Sequence, residues 1–513
     1  MKVSEISYQE TNKFSNLVLD YLKKDEKLKP FVNHFPTLEN FEKQITEKKT
    51  HSTDRVVLVD VLNKQNASLS LSVKSKLNIE SLKENSTFTI TTGHQLCLFT
   101  GPLYFIYKII SAINLAEQLQ AKYPNNNFVP VFWMATEDHD FQEINHINLF
   151  GKKIAWDSKQ SGAVGRMNLD GFESVLTELK SVLGISENAD KLISLFEKSY
   201  LNQDNLADAN RYLVNEMFGK YGLVILDGDD KRLKEQFIST IKKDVLSQGF
   251  KESITKCSED LASKYKSQAY VRPINFFKLS EGKRELIKGE ITEKEIENNP
   301  DSFSPNVLLR PLYQETILPN IAYIGGGAEV AYWMQLKTAF VQENIPFPIL
   351  MLRNSVLFMD DKQNQKRQDL GFTLNDLFLE EHQLQKMFVL NQNDTAVSLQ
   401  DEMDAVEDIY KSITAKTTDV GLQNNIKSQQ QKQLKSFKQL EEKLLRLAKQ
   451  KNESSLNQIS KIKQQLFPEN SLQERYDNFI PFYLKGGDNF IEILKENLNP
   501  LNPNFVVLNP KIK

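Results

Sequence analysis

Hydrophobic and polar residues along this chain switch between the spacing typical of strands and that typical of helices. A β-prone run, TFTITT at 87–92, leads into Gly93-His94-Gln95 and then Thr100-Gly101-Pro102. Apolar residues then recur at helical spacing over 103–119, and a second apolar run, VPVFWMA, occupies 129–135. This order predicts a βαβ unit, and therefore a parallel sheet with helices on its faces.

Three later apolar runs extend the same pattern. We predict further strands over 222–226 and 347–352, and 321–324 is a further apolar segment. Short amphipathic helices are predicted over 1–55, as a packing arm. We also expect insertions over about 151–215, mostly helical, and about 235–300, in which 270–300 shows no clear core signal.

From about residue 375 the pattern becomes helical throughout. Apolar residues at 3-4 spacing on both sides of Thr417-Thr418-Asp419 predict two helices that form an antiparallel coiled-coil hairpin. Its longer arm, 421–465, carries ten Lys or Arg against three Glu. We therefore divide the chain into an α/β core at 1–374, a helical coiled-coil domain at 375–467, and a segment at 468–513 that packs back on the core.

Composition narrows the class of protein. The 513 residues carry a net charge of −3, which argues against a dedicated nucleic-acid binder. No apolar run is long enough to cross a bilayer, and MKVSEISYQETNKF lacks the apolar centre of a signal peptide. With only two cysteines, Cys97 and Cys257, a disulfide framework is excluded. We expect a cytoplasmic protein with neither membrane nor nucleic acid as a partner.

Candidate chemistry is concentrated where the first two predicted strands end. The segment EDHDFQEINH at 137–146 places four acids and two histidines directly after a buried-looking strand. Ligands of parallel sheets bind at the carboxyl ends of the strands, where groups for acid–base chemistry belong. One alternative is a solvated loop with a helix cap. Another is a metal-dependent hydrolase, in which Glu143 and His146 share a helix face and Asp138, His139 and Asp140 add oxygen and nitrogen ligands. A third, non-enzymatic alternative is a coiled-coil scaffold protein in which residues 390–466 recruit a partner.

A glycine-rich loop, Gly325-Gly326-Gly327-Ala328-Glu329, follows the apolar segment 321–324 and precedes a helix. Free backbone amides at such a position favour an anion. The loop lacks the GxxxxGK[ST] pattern, so a P-loop is excluded. Cys97 lies in an apolar segment and is interpreted as a buried thiol rather than a nucleophile.

Four long segments, in the same order, resemble the bacillithiol biosynthesis cysteine-adding enzyme family, a family of cysteine ligases. They are GHQLCLFTGPLYFIYKIISAINLA, VPVFWMATEDHDFQEINHI, SPNVLLRPLYQETILPNIAYIGGGAEVAYWMQL and LQERYDNFIPFY. The resemblance implies a Rossmann-like core with connecting-peptide insertions, an α-helical coiled-coil domain and a homodimer. It also implies that the carboxylate of L-cysteine is joined to the amino group of glucosaminyl malate. Gly93-His94-Gln95 also falls where class I aminoacyl-tRNA synthetases carry their His-containing signature.

Amide formation in water needs an activated carboxylate, so we expect ATP or another nucleotide or phosphate donor. Under this hypothesis the catalytic residues are His94, Asp138, His139 and Asp140, and Arg310 and Arg353 are candidates for the malate carboxylates. No metal ligand is assigned. The residues expected to bind substrate or nucleotide are Gly93, Gln95, Thr100, Gly101, Glu137, Asn145, His146, Arg310, Gly325, Gly326, Gly327, Glu329 and Arg353.

Overall fold

The structure is a computed structural model that describes residues 2–280, 282–392 and 398–509. The stretch 393–397 of the predicted helical domain and the stretch 510–513 of the predicted C-terminal segment lie outside the described residues, as do Met1 and Glu281. The division of the chain at 374 and 467 stays a prediction.

The strands of the described ranges are β1 (Lys2–Ser7), β2 (Thr87–His94), β3 (Asn127–Met134), β4 (His146–Leu149), β5 (Lys152–Ala155), β6 (Val224–Asp227), β7 (Phe276–Ser280), β8 (Lys283–Leu286), β9 (Phe303–Pro305), β10 (Asn320–Gly325), β11 (Ile349–Leu352), β12 (Val356–Phe358) and β13 (Asn504–Asn509).

The α-helices of the same ranges are α1 (Asn16–Leu22), α2 (Leu38–Lys48), α3 (Arg55–Gln65), α4 (Val73–Ser81), α5 (Tyr104–Lys122), α6 (Phe141–Ile144), α7 (Phe172–Leu183), α8 (Glu187–Tyr200), α9 (Leu206–Phe218), α10 (Lys231–Glu235), α11 (Ile238–Ser247), α12 (Lys251–Ala262), α13 (Glu293–Asn298), α14 (Arg310–Ile317), α15 (Gly327–Met334), α16 (Lys337–Gln342), α17 (Asp361–Asp369), α18 (Glu381–Asn391), α19 (Gln400–Thr414), α20 (Val420–Lys451), α21 (Glu453–Leu466), α22 (Gln473–Tyr476), α23 (Ile480–Gly486) and α24 (Asn489–Asn497).

The central sheet confirms the predicted parallel α/β core. Its five strands lie in the order β11-β10-β2-β3-β6, and every neighbouring pair is parallel. Numbered by their order along the chain, these strands follow 5-4-1-2-3, which is the Rossmann order 3-2-1-4-5 taken from the other edge. The strand order reverses between β2 and β10. Their carboxyl ends therefore form the crevice where such sheets bind ligands.

Both faces of the sheet are buried, which explains why β3 is apolar at successive positions. Along β3, Val131 and Trp133 join one hydrophobic cluster, whereas Phe132 and Met134 join another. Successive side chains of a strand point to opposite faces, so a strand covered on both sides needs apolar residues at every position. Helix α5, which links β2 to β3, packs on this sheet.

The N-terminal arm differs from the prediction in one respect. Residues 1–55 were expected to be helical, but Lys2–Ser7 forms β1, which pairs antiparallel with β13. Strand β13 also pairs in parallel with β12. The six residues of β1 pair only with β13, which is about 500 residues away in the chain. A local pattern in 1–10 therefore does not indicate this pairing.

The predicted helical hairpin is confirmed in the described residues. Helices α19 and α20 pack against each other on either side of the connection that precedes Val420. Helix α20 ends at Lys451 and α21 starts at Glu453, where the apolar spacing of the sequence shifts register. None of the helices in the described ranges has the length and apolar character needed to cross a membrane.

Candidate active site

A cavity of about 470 Å³ opens at the carboxyl ends of β2, β3 and β10. Its volume falls within the range of small-molecule sites. The wall combines aromatic rings with charged groups and is formed by Gly93, His94, Gln95, Tyr104, Lys108, Trp133, Met134, Ala135, Thr136, Glu137, Asp138, Phe277, Arg284, Pro305, Asn306, Val307, Arg310, Tyr323, Glu329 and Tyr332. Seven of the residues predicted from the sequence lie in this wall: Gly93, His94, Gln95, Glu137, Asp138, Arg310 and Glu329.

A buried ion pair joins α5 to the first turn of α15, which follows β10. The ammonium of Lys108 lies 2.6 Å from Oε2 of Glu329 and donates to the carbonyl of Gly93 at 2.8 Å. The Tyr323 hydroxyl donates to Oε1 of Glu329 at 2.7 Å. Burial raises the pKa of Glu329, but Lys108 and the hydrogen-bond donors outweigh it and hold the pKa below its ordinary value. Glu329 is therefore ionised and fixed.

His94 is a neutral side chain in this setting. Burial lowers its pKa to about 3, and the charge of Lys108 adds to the effect. Its Nδ1 lies 3.0 Å from the carbonyl oxygen of Gln95, which accepts hydrogen bonds only, so Nδ1 carries the proton. The other ring nitrogen, Nε2, is then an acceptor. An acceptor nitrogen suits a substrate amine or hydroxyl, which can donate a hydrogen bond. It suits less well the phosphate oxygen that the sequence hypothesis placed near His94, because that oxygen is itself an acceptor.

Asp138 is held in place by donors on both carboxylate oxygens. Gln95 Nε2 donates to its Oδ2 at 2.8 Å and to Oε2 of Glu143 at the same distance. The backbone amides of His139 and Asp140 point at Oδ1, at 2.7 and 3.3 Å. Gln95 therefore connects the end of β2 to the acidic segment after β3.

Glu137 points to the other side of the cavity, toward α10. The fully buried ammonium of Lys234 lies 2.6 Å from its Oε1 and also donates to the carbonyl of Phe303 at 2.7 Å. Burial raises the pKa of Glu137 above its ordinary value, and Lys234 opposes that rise.

Two arginines face the cavity from different elements. Arg310, at the start of α14, donates to Oε1 of Gln314 at 2.9 Å and lies over the ring of Tyr323, 5.6 Å from its centroid. Arg284, on β8, lies 4.1 Å from the ring centroid of Phe277 and donates to the carbonyl of Pro305 at 3.0 Å. Burial lowers the pKa of Arg284.

The rest of the acidic segment diverges after Asp138. His139 is half-exposed at the rim, with its Nδ1 2.9 Å from Nη1 of Arg284. Asp140 is exposed at the start of α6 and does not line the cavity. Asn145 is buried against the carbonyl of Trp156, and His146 lines a separate, smaller cavity of about 120 Å³.

Because of this divergence, the metal-hydrolase alternative lacks a ligand set in 137–146. His139 contacts Arg284 beside the large cavity, whereas His146 lines the smaller one. Across the described ranges, no three or more His, Cys, Asp or Glu side chains are arranged to hold a metal ion.

Thr100 and Gly101 lie behind the cavity and form part of the turn into α5. Thr100 is fully buried, and Gly101 has φ +65° with its amide donating to the carbonyl of Leu98 at 2.8 Å. An added Cβ at Gly101 would lie 2.6 Å from Cβ of Cys97. Burial raises the pKa of the Cys97 thiol to about 12, so the thiol is protonated.

Backbone groups of the glycine loop already form hydrogen bonds within the protein, which the sequence does not indicate. The amide of Gly326 donates to Oε2 of Glu329 at 2.8 Å, and the carbonyl of Gly325 accepts from the amide of Arg353 at 2.9 Å. An added Cβ at Gly327 would lie 2.8 Å from Val18. Of the amides predicted to bind an anion, that of Gly326 is therefore already engaged by Glu329.

Arg353 lies behind the wall and does not line the cavity. It is 5% exposed, and its Nη2 donates to Oε1 of Glu474 at 2.8 Å. Its guanidinium lies 5.0 Å from the ring centroid of Tyr104, which does line the cavity. Its charge is thus compensated by Glu474, which leaves it poorly suited to bind a malate carboxylate directly.

Sequence reasoning did not select Lys108, Lys234 or Arg284. Lys108 carried a usable signal, since it is a single charge within FIYKIISAIN, a helix segment that is otherwise buried. Lys234 and Arg284 lie among other charged residues in the sequence, so only the tertiary structure distinguishes them from solvated side chains.

Comparison with known proteins identifies the family. The sequence profile described as "Bacillithiol biosynthesis BshC, N-terminal Rossmann-like domain" matches residues 1–354, and the profile "Bacillithiol biosynthesis BshC, C-terminal coiled-coil domain" matches 356–510. A protein of Christiangramia forsetii named "Putative cysteine ligase BshC" is 43% identical, with 99% of each chain covered. A protein of the same name from Flavobacterium johnsoniae is 44% identical over 98% of this chain and 99% of its own. The chain belongs to the BshC family of bacillithiol biosynthesis.

Proposed function

We propose that this protein is a cysteine ligase that joins the carboxylate of L-cysteine to the amino group of glucosaminyl malate, which gives bacillithiol. The observation that carries the proposal is the cavity at the strand ends, where His94, Asp138 and Arg310 face one space in a chain of this family. Ligands of a Rossmann-like sheet bind at this position.

The reaction needs an activated acyl group, and we propose that ATP or a related phosphate donor supplies it. With ATP as the donor, a cysteine carboxylate oxygen would attack the γ-phosphorus, with ADP leaving, or the α-phosphorus, with pyrophosphate leaving. The substrate amine would then attack the acyl carbon, phosphate or AMP respectively would leave, and the nitrogen would lose a proton. The residues of the cavity would bind and orient the reactants in these steps.

Asp138 is the proposed proton acceptor. Its carboxylate lines the cavity and is oriented by Gln95, whereas His139 lies at the rim and Asp140 is exposed. His94, with Nε2 as an acceptor, would orient the amine as it attacks. A positioned general base contributes about 10² to 10⁴ in rate.

Purified protein incubated with cysteine, glucosaminyl malate and ATP should give bacillithiol, detected by mass spectrometry. We expect Asp138→Asn to lower kcat by about 10² or more, whereas Asp140→Asn, two residues away and exposed, should retain the wild-type rate. The same variants should be tested for restoring bacillithiol in cells that lack the enzyme. Restoration by Asp138→Ala or His94→Ala would contradict the site assignment.

We also propose that the protein is a cytoplasmic homodimer. Apolar residues on the hairpin support the dimer, because Leu440, Leu444 and Leu447 recur at helical spacing and are exposed.

A further inference from the structure

The charges around the cavity do not all have partners. Two pairs are closed, Lys108 with Glu329 and Lys234 with Glu137, each at 2.6 Å. Among the described residues, Arg284 hydrogen-bonds the Ser304 hydroxyl, the Pro305 carbonyl and the His139 ring, and no carboxylate. Arg310 likewise contacts the Gln314 amide oxygen at 2.9 Å and the Tyr332 hydroxyl at 3.4 Å.

The cavity also has one carboxylate without a close salt bridge to Lys or Arg. Asp138 accepts hydrogen bonds from Gln95 and from two backbone amides. His139 Nδ1 lies 3.6 Å from it, but this nitrogen faces Nη1 of Arg284 at 2.9 Å. A guanidinium only donates, so Nδ1 accepts from Arg284 and does not donate to Asp138.

Two guanidinium groups and one carboxylate thus face the same cavity without a close ion pair in the described ranges. Arg284 is attracted to Glu137 and Asp138 only over a longer distance, and the rings of Phe277 and Tyr323 stabilise the two guanidinium groups in part. A guanidinium also presents paired donors that match a carboxylate. The complementary ligand carries two anionic groups and one cationic group.

We propose that Arg284 and Arg310 each bind one carboxylate of the malate moiety, while Asp138 receives the ammonium group that becomes the nucleophile. This inference rests on the proposed function, because glucosaminyl malate carries the two carboxylates and the amine in one molecule. The role predicted for Arg353 is thereby assigned to Arg284 of the β7–β8 hairpin, because the charge of Arg353 is paired with Glu474 at 2.8 Å. The hairpin of the second predicted insertion thereby sets substrate specificity.

Calorimetric titration of the full-length protein tests the assignment without turnover. We expect Arg284→Gln and Arg310→Gln each to weaken binding of glucosaminyl malate about 10- to 100-fold. Binding of its dimethyl ester, which keeps the framework and the ammonium group but lacks the two negative charges, should be weak and equal in wild type and both variants. Arg284→Lys should bind with intermediate affinity, and Arg446→Gln, an exposed arginine of the hairpin α19–α20, should match wild type.

Steady-state kinetics of the same variants adds a second measurement. The KM for glucosaminyl malate should rise by the same factor, while the KM values for cysteine and ATP stay constant. A rise in the KM for ATP alone would assign the arginines to the phosphate donor and overturn the inference. Unchanged affinity of a folded Arg284→Gln protein for glucosaminyl malate would overturn it too.

The outcomes separate this inference from the proposed function. Arginine-dependent binding of glucosaminyl malate by a wild-type protein that forms no bacillithiol would support the binding assignment and contradict the ligase reaction. Bacillithiol formation that is insensitive to both arginine substitutions would support the reaction and contradict the binding assignment.

Discussion

The ammonium of Lys108 lies 2.6 Å from the carboxylate of Glu329, and this pair connects the βαβ unit to the glycine loop on the other side of the topological switch point. Lys108 is 4% exposed. Burial lowers its pKa, an effect that Glu329 offsets only in part. The contact fixes the relative position of two cavity walls whose residues lie 221 positions apart in the chain.

Removing one member of this pair should destabilise the protein. Lys108→Met leaves the Glu329 carboxylate with hydrogen bonds but no counter-charge, and breaking such a pair costs about 3 kcal/mol of unfolding free energy. The double variant Lys108→Met/Glu329→Gln should recover part of this loss, since it leaves no uncompensated charge. Denaturant unfolding of the wild type, the two single variants and the double variant measures the coupling. Additive effects would show that the two groups act independently.

The neutral state of His94 predicts how its substitution affects activity. Its Nε2 acts as an acceptor, so His94→Gln, whose amide oxygen also accepts, should retain more activity than His94→Ala. We expect a difference of about tenfold. Because burial lowers the pKa of His94 to about 3, the ratio of wild-type to His94→Gln activity should be constant from about pH 5.5 to about pH 8. A ratio that changes around the ordinary pKa of histidine would show that the charged ring takes part.

Asp227 predicts a pH dependence of stability. Burial raises its pKa from 3.8 to about 6, with repulsion from Asp229 as a further cause, and the Thr136 hydroxyl donates to it beside the cavity. The folded state therefore binds this proton more tightly than the unfolded state. Its contribution to the unfolding free energy is fully present below pH 3.8 and is lost as pH rises through about 6.

The measurement is the difference in unfolding free energy between wild type and Asp227→Asn as a function of pH. We expect this difference to fall by up to about 3 kcal/mol between about pH 4 and about pH 7 and to stay constant above that. A difference that rises over the same interval would mean that Asp227 is stabilised as the carboxylate, through Arg211.

The exposed leucines of α20 predict the oligomeric state. Leu440 and Leu444 are 48% and 39% exposed on the hairpin. If they form the expected homodimer interface, Leu440→Asp/Leu444→Asp should give a monomer in light scattering, whereas Lys443→Asp, an exposed polar position between them, should remain dimeric.

Activity of the same variant tests the coiled-coil scaffold alternative. A folded monomer that still forms bacillithiol would place the chemistry in the α/β core alone. The scaffold alternative, in which residues 390–466 recruit a partner, predicts instead that loss of the hairpin abolishes function while changes at Asp138 and His139 are silent.

The amino-acid sequence by itself determined the first βαβ unit of the core and the position of the candidate site at its strand ends. A continuous apolar run such as VPVFWMA indicates a strand that is buried on both faces. The residues at the end of such a strand follow the run directly in the sequence. The local pattern was therefore enough to select His94, Glu137 and Asp138. The hairpin at 417–419 was equally predictable, since helical spacing is a local property.

The tertiary structure alone decided which charges face the cavity and which are already paired. Arg353 and Arg310 both follow or precede apolar runs, yet Glu474 neutralises only Arg353, from more than 100 residues away. Arg284 enters the site because its hairpin folds over Phe277 and Pro305. Likewise, β1 is a strand because β13 lies beside it. Pairing between distant charges and strands depends on chain topology, which residue spacing does not encode.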